Sequence, residues 1–244
     1  MQLAVNLAPV TIRHECARFG DGAFTYVMID VLRASTVICT ALSNGAREVV
    51  PYSEIDDARA ARTQAGYSDA LLCGERLGRK IEGFDLGNSP TEYTRERIAD
   101  RPLIFASTNG SVALTAAPPQ ATVLVGGFCN LTALCRRVMD LDQPVLIACA
   151  GKLGAFALED ATAAGAVIAR LWEIDPELEL INDGAMAAQA LWDRYKTDPA
   201  MALWQSRHGI YLIEIGFGSD LSLCAAADSA NVVPEMENGR LLLT

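Results

Sequence analysis

The stretch VMIDVLRAST, residues 27–36, places a carboxylate and a guanidinium three residues apart, directly after an apolar run. Asp30 and Arg33 are followed at once by the hydroxyl residues Ser35 and Thr36. Carboxylates bind hard cations, and guanidinium groups bind oxyanions in a forked geometry. Asp30 could instead be only a helix N-cap, and Arg33 could pair with a surface carboxylate. The combination favours a site for a small oxyanion.

A second set of polar residues lies in GERLGRKIEGFDLGNSPTEY, residues 74–93. Its glycines and proline predict a long loop, and such loops in compact domains are usually functional. The candidate site residues in it are Glu75, Arg76, Asp85, Asn88 and Ser89. Gly87 would let backbone N–H groups approach an oxyanion closely. The alternative is an ordered surface loop held by its own turns.

Further polar residues follow other apolar runs that read as strands. They are Thr108, Asn109, Gly110 and Ser111 after PLIFAS, Asn130 after TVLVGGFC, and Lys152 after PVLIACAG. Ligands of open α/β sheets bind beyond the carboxyl ends of the strands, so these residues are predicted to converge with Asp30 and Arg33. Asn109 and Gly110 alone could be no more than a tight turn.

Two adjacent acids, Glu159 and Asp160, begin the longest helical pattern of the chain. Successive helical residues point about 100° apart, so both cannot face one site. One is expected to look into the pocket, while the other favours the helix N-terminus electrostatically. With Asp30, Glu75 or Asp85, the first would supply oxygen ligands for a cation such as Mg²⁺. Both acids could also be helix-capping residues.

Alternating strand and helix patterns must position these residues. Apolar runs at 24–30, 102–107, 122–127 and 144–151 alternate with helical patterns. Unbroken hydrophobic strands imply a sheet with both faces covered. The sequence predicts one α/β domain over 1–244, with three layers (α/β/α), a mixed, partly parallel sheet, and two lobes around a cleft as an option.

The last fifty residues carry less regular patterns. GIYLIEIG (209–216) and NVVPEM (231–236) read as strands around a short DLSLCAAAD helix, and RLLLT reads as an edge strand. Antiparallel additions of this kind would make the sheet mixed.

Composition restricts the partners. Of 244 residues, 51% are hydrophobic and 20% charged, with a net charge of -10, which is typical of a compact globular protein. The acidic balance argues against nucleic acid and anionic membranes as partners, but allows a small anionic substrate in a locally positive pocket. Seven scattered cysteines without a C-x-x-C pair predict reduced thiols in the cytoplasm. The composition is compatible with a homodimer.

Several familiar motifs are absent from the sequence. It has no G-x-x-x-x-G-K-[ST], no G-x-G-x-x-G and no G-x-S-x-G. His14 and His208 are the only histidines, too few for a histidine-rich metal site. His208 is a candidate site residue, although a satisfied structural histidine is the commoner case.

The ordered blocks VMIDVLRAST, GERLGRKIEGFDLGNSPTE, STNGS and FALEDATAAG resemble the 2-phosphosulfolactate phosphatase (ComB-like) family, from about residue 5 to residue 236. The resemblance implies an Mg²⁺-dependent acid phosphatase that converts 2-phosphosulfolactate to 3-sulfolactate, a step toward coenzyme M. Ser35 and Ser111 stand where threonine is expected, and both keep the hydroxyl group.

Roles are assigned on these grounds. Catalysis is expected from Asp30, Arg33, Glu75, Arg76 and Asp85. Substrate binding is expected from Ser35, Thr36, Asn88, Ser89, Asn109, Gly110, Ser111 and Asn130. Mg²⁺ binding is expected from Asp30, Glu159 and Asp160. The nucleophile is left open between water, Asp30 and a hydroxyl such as Ser35. The rival functions are a related enzyme, or a binding protein for another small phosphorylated or sulfonated acid.

Overall fold

The computed structural model describes residues 1–243, and eleven strands within them form one sheet. The strands are β1 (Gln2–Asn6), β2 (Phe24–Ile29), β3 (Glu48–Tyr52), β4 (Leu71–Arg76), β5 (Arg79–Lys80), β6 (Pro102–Ala106), β7 (Ala121–Gly126), β8 (Val145–Cys149), β9 (Glu179–Leu180), β10 (Pro234–Glu237) and β11 (Arg240–Leu243). Their order across the sheet is β5-β4-β6-β3-β11-β10-β7-β2-β8-β1-β9.

Eleven α-helices within the same residues cover this sheet. They are α1 (Ile12–Cys16), α2 (Ala34–Ser43), α3 (Ile55–Ala61), α4 (Arg95–Ile98), α5 (Gly110–Thr115), α6 (Leu131–Leu141), α7 (Leu158–Ile174), α8 (Asp183–Tyr195), α9 (Ala200–Gln205), α10 (Arg207–Glu214) and α11 (Gly218–Ala225).

Both faces of the sheet are buried in apolar cores. Along β2, Tyr26 and Met28 belong to one core cluster, whereas Val27 and Ile29 belong to another. This follows from the period of two in a strand, which sends successive side chains to opposite faces. Helices α2 and α5 contribute to the first cluster, and α6 and α7 to the second. The predicted three-layer α/β/α fold is confirmed.

The sheet is mixed because an antiparallel hairpin joins two parallel groups. Strands β4, β6 and β3 are parallel to one another, as are β7, β2, β8, β1 and β9. The hairpin β10–β11 pairs antiparallel with β7 on one side and with β3 on the other. RLLLT is therefore an internal strand rather than the predicted edge strand, and Leu241 is fully buried opposite Val49.

The two parallel groups of strands differ in direction along the sheet. Three successive antiparallel pairings separate β3 from β7, so the two groups run in opposite directions along the sheet. Six steps separate β4 from β2, and roughly 20–25° of twist per step accumulates to roughly 120–150°. A rotation of this size largely offsets the opposite direction of the two groups, and residues that follow β4 and β6 in one group and β2 and β8 in the other line a common pocket.

The segment 209–214, which is all but the last two residues of the predicted strand 209–216, is helical, so that prediction is wrong. It lies in α10, where the Ser206 Oγ accepts a hydrogen bond of 2.8 Å from the Gly209 N–H. Gly209 and Leu212, three residues apart, form the buried side of this short helix. The N-cap and the tertiary contact override the β-propensity of the isoleucines.

The cysteines and the helices bear on two further expectations. All seven cysteines are buried and free of disulfides. Within residues 1–243, no helix has the length and apolar character needed to cross a membrane.

Helix α7 carries Glu159 and Asp160, and it packs on α8 without space for a side chain at Gly165. A Cβ there would lie 2.1 Å from the Ala188 carbonyl oxygen. The two helix backbones therefore approach so closely that only glycine fits between them.

Gly165→Ala is expected to lower the free energy of unfolding by about 1–3 kcal/mol, because α8 must move away from α7. Alanine is otherwise the better helix former, so a loss in urea unfolding measures the packing alone. Gly218→Ala is the matched control, since Gly218 also lies in a helix, α11, and the nearest atom to its Cβ, Ile213 Cγ1, lies 3.4 Å away. Equal stability of the two variants would contradict the proposed tight packing.

Candidate active site

A cavity of about 250 Å³ lies where the loops after β2, β4, β6 and β8 meet α10. Its lining residues are Asp30, Leu32, Arg33, Glu75, Leu77, Gly78, Asn88, Thr108, Asn109, Lys152, Leu153, His208 and Tyr211. Two parallel groups of strands thus contribute to one pocket, as the position of ligands in α/β sheets predicts.

Asp30 directly follows β2 and is buried. Its Oδ1 lies 3.4 Å from the Ala34 N–H, and a Cβ at Gly110 would lie 2.9 Å from its Oδ2. Glycine at 110 therefore allows α5 to begin against this carboxyl group. Burial raises the pKa of Asp30 to about 6, and the charge of Glu75 adds to this effect, whereas His208 opposes it. A carboxyl group whose pKa is raised by burial in this way is typical of functional sites.

Arg33 is held in a fixed orientation at the side of the pocket. Its Nη1 donates to Asp220 Oδ2 at 2.7 Å, and its Nη2 donates to the Gly78 carbonyl oxygen at 2.7 Å. The guanidinium also lies 4.4 Å from the ring centroid of Phe217. Ser89 donates to the other oxygen of Asp220 at 2.7 Å. Asp220 therefore compensates the buried charge of Arg33 and links it to the 74–93 loop.

Glu75 joins two loops of the pocket through backbone amides. Its Oε1 accepts from the Thr108 N–H at 2.8 Å, and its Oε2 accepts from the Gly78 N–H at 2.7 Å. Since both oxygens are already engaged, Glu75 shapes the pocket and adds negative charge beside Asp30.

Besides Gln189 Oε1 on α8, three buried side-chain oxygens within residues 1–243 have no hydrogen-bond partner. They are Asn88 Oδ1, Thr108 Oγ1 and Glu159 Oε2. Asn88 and Thr108 line the pocket, and Asn88 is 6% exposed. A buried polar atom without a partner costs free energy, which a polar ligand would recover. The pocket is therefore suited to a polar ligand.

Glu159 and Asp160 have separate roles, as their helical spacing predicts. Glu159 Oε1 lies 3.2 Å from Nδ1 of His208, which lines the pocket. Asp160 accepts from the Val31 N–H at 2.8 Å and from the Gly151 N–H at 2.9 Å, so it fastens the loops after β2 and β8. Burial raises the pKa of Asp160, and Glu159 and Asp30 raise it further.

Lys152 supplies a second cation to the pocket. Its Nζ lies 4.1 Å from the ring centroid of Tyr211, and both residues line the cavity. Burial lowers the pKa of Lys152, while the carboxylates of Glu159 and Glu75 oppose that effect. Arg33 and Lys152 thus place two cations in the pocket lining, together with the carboxyl groups of Asp30 and Glu75.

Several residues expected at the site do not line the pocket. Ser89 is linked through Asp220 to the lining residue Arg33; the others are Ser35, Thr36, Arg76, Asp85, Gly110, Ser111, Asn130, Glu159 and Asp160. Arg76 follows Glu75 along β4, so it points to the opposite face, where it donates to the Ser53 carbonyl oxygen. Asp85 accepts from the Leu72 N–H at 2.9 Å and from Arg62. These two side chains hold the 74–93 loop against neighbouring strands and helices.

The hydroxyl and amide residues away from the pocket are engaged in backbone contacts. Ser35 accepts from the Asp30 N–H at 2.9 Å, and Thr36 donates to the Val31 carbonyl oxygen. Asn130 donates to the carbonyl oxygens of Val125 and Val232. Ser111 lies 3.1 Å from the Ser107 hydroxyl group. Their contacts fix the loops that follow β2, β6 and β7.

The sequence interpretation missed three residues from the C-terminal quarter of the chain. Tyr211 lines the pocket, Phe217 stacks on Arg33, and Asp220 pairs with Arg33. The strand prediction for 209–216 placed Tyr211 wrongly. A usable signal was Ser206 with Gly209 three residues later, which is an N-cap pattern for the helix that carries His208.

The acidic side chains fit a magnesium ion only in part. Both oxygens of Asp160 accept hydrogen bonds from backbone N–H groups. By contrast, the hydrogen bond from the Ala34 N–H to Asp30 Oδ1 is long, at 3.4 Å, and Glu159 Oε2 has no hydrogen-bond partner. No cluster of three metal-ligating side chains is found in the part of the chain described by the structure. Mg²⁺ is often held by one or two carboxylates together with substrate phosphate oxygens. Asp30 and Glu159 fit that form of binding.

Comparison with known proteins adds a consistent finding. The model of the family described as 2-phosphosulpholactate phosphatase matches residues 12–239. A protein of Synechococcus sp. (strain CC9605) is 41% identical over 88% of this chain and 90% of its own length. One of Thermotoga petrophila is 37% identical over 90% and 92%, and one of Caldanaerobacter subterraneus is 36% identical over 87% and 88%. Each bears the name "Probable 2-phosphosulfolactate phosphatase".

Asp220→Ala is expected to lower the free energy of unfolding by roughly 3–5 kcal/mol, because it leaves the buried Arg33 charge without a counter-ion. Ser89→Ala is the matched control, since it removes only one hydrogen bond to the same carboxylate and should cost about 1 kcal/mol. Urea unfolding of both variants measures the difference. Equal urea midpoints for the two variants would show that a group other than Asp220 compensates the charge of Arg33.

The free energy of unfolding of the Asp30→Asn variant, relative to that of the unchanged protein, should increase as pH rises. The folded protein binds the Asp30 proton more tightly than a chain with the ordinary pKa of 3.8. The stability from that proton is therefore present below about pH 4 and lost as pH rises through about 6. Urea unfolding in EDTA at about pH 4 and about pH 7 measures the change. The same difference between the two proteins at both pH values would show that the Asp30 pKa is ordinary.

Proposed function

This chain belongs to the 2-phosphosulpholactate phosphatase family, and we propose that its pocket hydrolyses the phosphate monoester of 2-phosphosulfolactate with the help of Mg²⁺. The products are 3-sulfolactate and inorganic phosphate, and the organic product would serve a route to coenzyme M. The substrate carries a phosphate, a carboxylate and a sulfonate on a short carbon chain. A pocket for it must therefore bind several negative charges at once.

One observation supports the proposal most directly. The buried carboxyl group of Asp30 and the buried guanidinium of Arg33 line the same pocket as two side-chain oxygens without hydrogen-bond partners, Asn88 Oδ1 and Thr108 Oγ1. Phosphate monoesters hydrolyse extremely slowly in water, so an enzyme must stabilise the charge of the transition state strongly. The fixed guanidinium of Arg33 can bind an oxyanion without reorganising, since Asp220 and Gly78 already hold it. Asn88 and Thr108 offer further hydrogen bonds from the same wall.

Two cations support a substrate with two strongly acidic groups. Arg33 lies between α11 and the tip of the β4–β5 hairpin, and Lys152 follows β8. We assign one oxyanion of the substrate to each. Arg76, the second arginine expected from the sequence, has its guanidinium on the Ser53 and Glu75 carbonyl oxygens and does not line the pocket.

Asp30 and Glu159 would hold the Mg²⁺, which when bound neutralises phosphoryl oxygens. Glu159 also orients His208 through the 3.2 Å contact to Nδ1. His208 can then hold a proton at Nε2 and donate it to the oxygen that leaves phosphorus. The Ser35 hydroxyl group is fully buried and accepts the Asp30 N–H, so it does not serve as the nucleophile.

Phosphate release from racemic 2-phosphosulfolactate tests the proposal, with 2-phospholactate and p-nitrophenyl phosphate as comparison substrates. We expect the fastest release from the sulfonated substrate, and loss of release in EDTA that Mg²⁺ restores. Asp30→Asn should lower kcat at least about a hundredfold while the circular dichroism spectrum stays unchanged.

Asp56→Asn is the matched control, because the Asp56 side chain is 95% exposed and lies outside the pocket. It should leave turnover unchanged. Absence of phosphate release by the folded protein from all three substrates would reject the phosphatase assignment. Release that survives EDTA would reject the role of Mg²⁺ alone.

A further inference from the structure

Two hairpin tips at the pocket share an unusual sequence. Leu77-Gly78 connects β4 with β5, and Leu153-Gly154 connects the bridged residues Lys152 and Ala155. Their φ values are 51° and 72° in the first tip, and 51° and 82° in the second. Two successive positive φ angles are the mark of a type I′ turn, whose first position favours asparagine or aspartate.

Leucine is exceptional in this conformation within the same protein. Six non-glycine residues among the described positions have positive φ: Leu77, Asp100, Asp142, Leu153, Asp228 and Asn238. Four are aspartate or asparagine, which tolerate left-handed backbone because their side chains can hydrogen-bond locally. Asn238-Gly239, at the tip of β10–β11, has φ values of 50° and 78°, so the chain also contains the favoured version of this turn.

The two exceptions are both lining residues of the pocket. Leu77 is 67% exposed and Leu153 is 66% exposed. Each therefore combines a disfavoured backbone conformation with an apolar side chain left in water. Neither property stabilises the free protein, which points to a gain that comes only when the pocket is occupied.

Pocket residues fasten the backbone of both tips. Tyr211 donates to the Leu77 carbonyl oxygen at 2.9 Å, and Arg33 donates to that of Gly78. The Leu153 N–H donates to Asn109 Oδ1 at 2.9 Å. These contacts hold the turns in place, so the leucine side chains stay at the pocket mouth.

We propose that Leu77 and Leu153 are specificity-determining residues that cover the bound substrate, contacting its carbon skeleton and excluding water from the phosphoryl group. This inference rests on the proposed phosphatase activity. Exclusion of water strengthens the attraction between the substrate anions and the cations of Arg33 and Lys152, because the local dielectric falls. The contact also buries leucine surface that is otherwise exposed.

The variants Leu77→Asn and Leu153→Asn test the proposal, because asparagine suits the turn and removes the apolar cover. Each should raise Tm by about 2–4 °C, since left-handed leucine is replaced by a residue that tolerates it. The double variant should lower kcat/KM for 2-phosphosulfolactate about tenfold. The Leu77→Met and Leu153→Met pair keeps an apolar cover and should stay within about twofold of the unchanged protein.

Asn238→Leu is the reciprocal control, placed in the same kind of turn but outside the residues that line the pocket. It should lower Tm and leave kcat/KM unchanged. This variant separates the cost of left-handed leucine from any effect on the reaction. Calorimetric titration of inorganic phosphate into all variants measures, without turnover, how the leucine cover affects phosphate affinity. The double asparagine variant should bind phosphate about tenfold more weakly.

The outcomes distinguish this inference from the proposed function. If the unchanged protein turns over substrate and the double asparagine variant keeps the same kcat/KM and phosphate affinity, the leucine cover is rejected while the phosphatase assignment stands. If no substrate is hydrolysed but the asparagine pair still weakens phosphate binding, the phosphatase assignment fails and the cover stands. Absence of both turnover and phosphate binding in the unchanged protein overturns both.

Discussion

The pocket depends on one buried positive charge. The side chain of Arg33 is 1% exposed, and an isolated charge at such a depth would be strongly unfavourable. Its compensation comes from Asp220 on α11, from the Gly78 carbonyl oxygen in the β4–β5 hairpin, and from the ring of Phe217. Ser89 adds the 74–93 loop through Asp220. Two segments remote in sequence, the 74–93 loop and residues 217–220, thus surround a single guanidinium group.

The acidic residues around this charge fall into two groups, one that holds loops in place and one that is available for chemistry. Glu75 and Asp160 each accept two backbone N–H groups, which makes them fasteners of loops. Asp30 and Glu159 retain acceptor capacity beside His208. The charge of Glu75 raises the pKa of Asp30, so this fastener also affects the protonation of Asp30. Stability and reactivity are therefore coupled through the same carboxylates.

The sequence predicted the half of the site that follows regular strands. Asp30, Arg33 and Asn109 come directly after apolar runs, and their place at the sheet edge follows from strand direction alone. Arg76 was misplaced because loop membership says nothing about which face of β4 a side chain occupies. Tyr211 and Asp220 were missed since their helices are short and depend on an N-cap and tertiary contacts. Local patterns cannot show that a distant acid will compensate a buried arginine.

The central hairpin has a consequence for the order in which the molecule folds. Strands β10 and β11 lie between the two parallel groups, and Arg240 bonds Glu48 across a sequence separation of 192 residues. Closing so large a loop is entropically costly, and contacts of this range slow folding. Each parallel group can assemble from more local connections, but the sheet becomes continuous between them only when the hairpin docks. The strand pairing that joins the two walls of the cavity therefore depends on the last strands of the described chain, and it is expected to form late in folding.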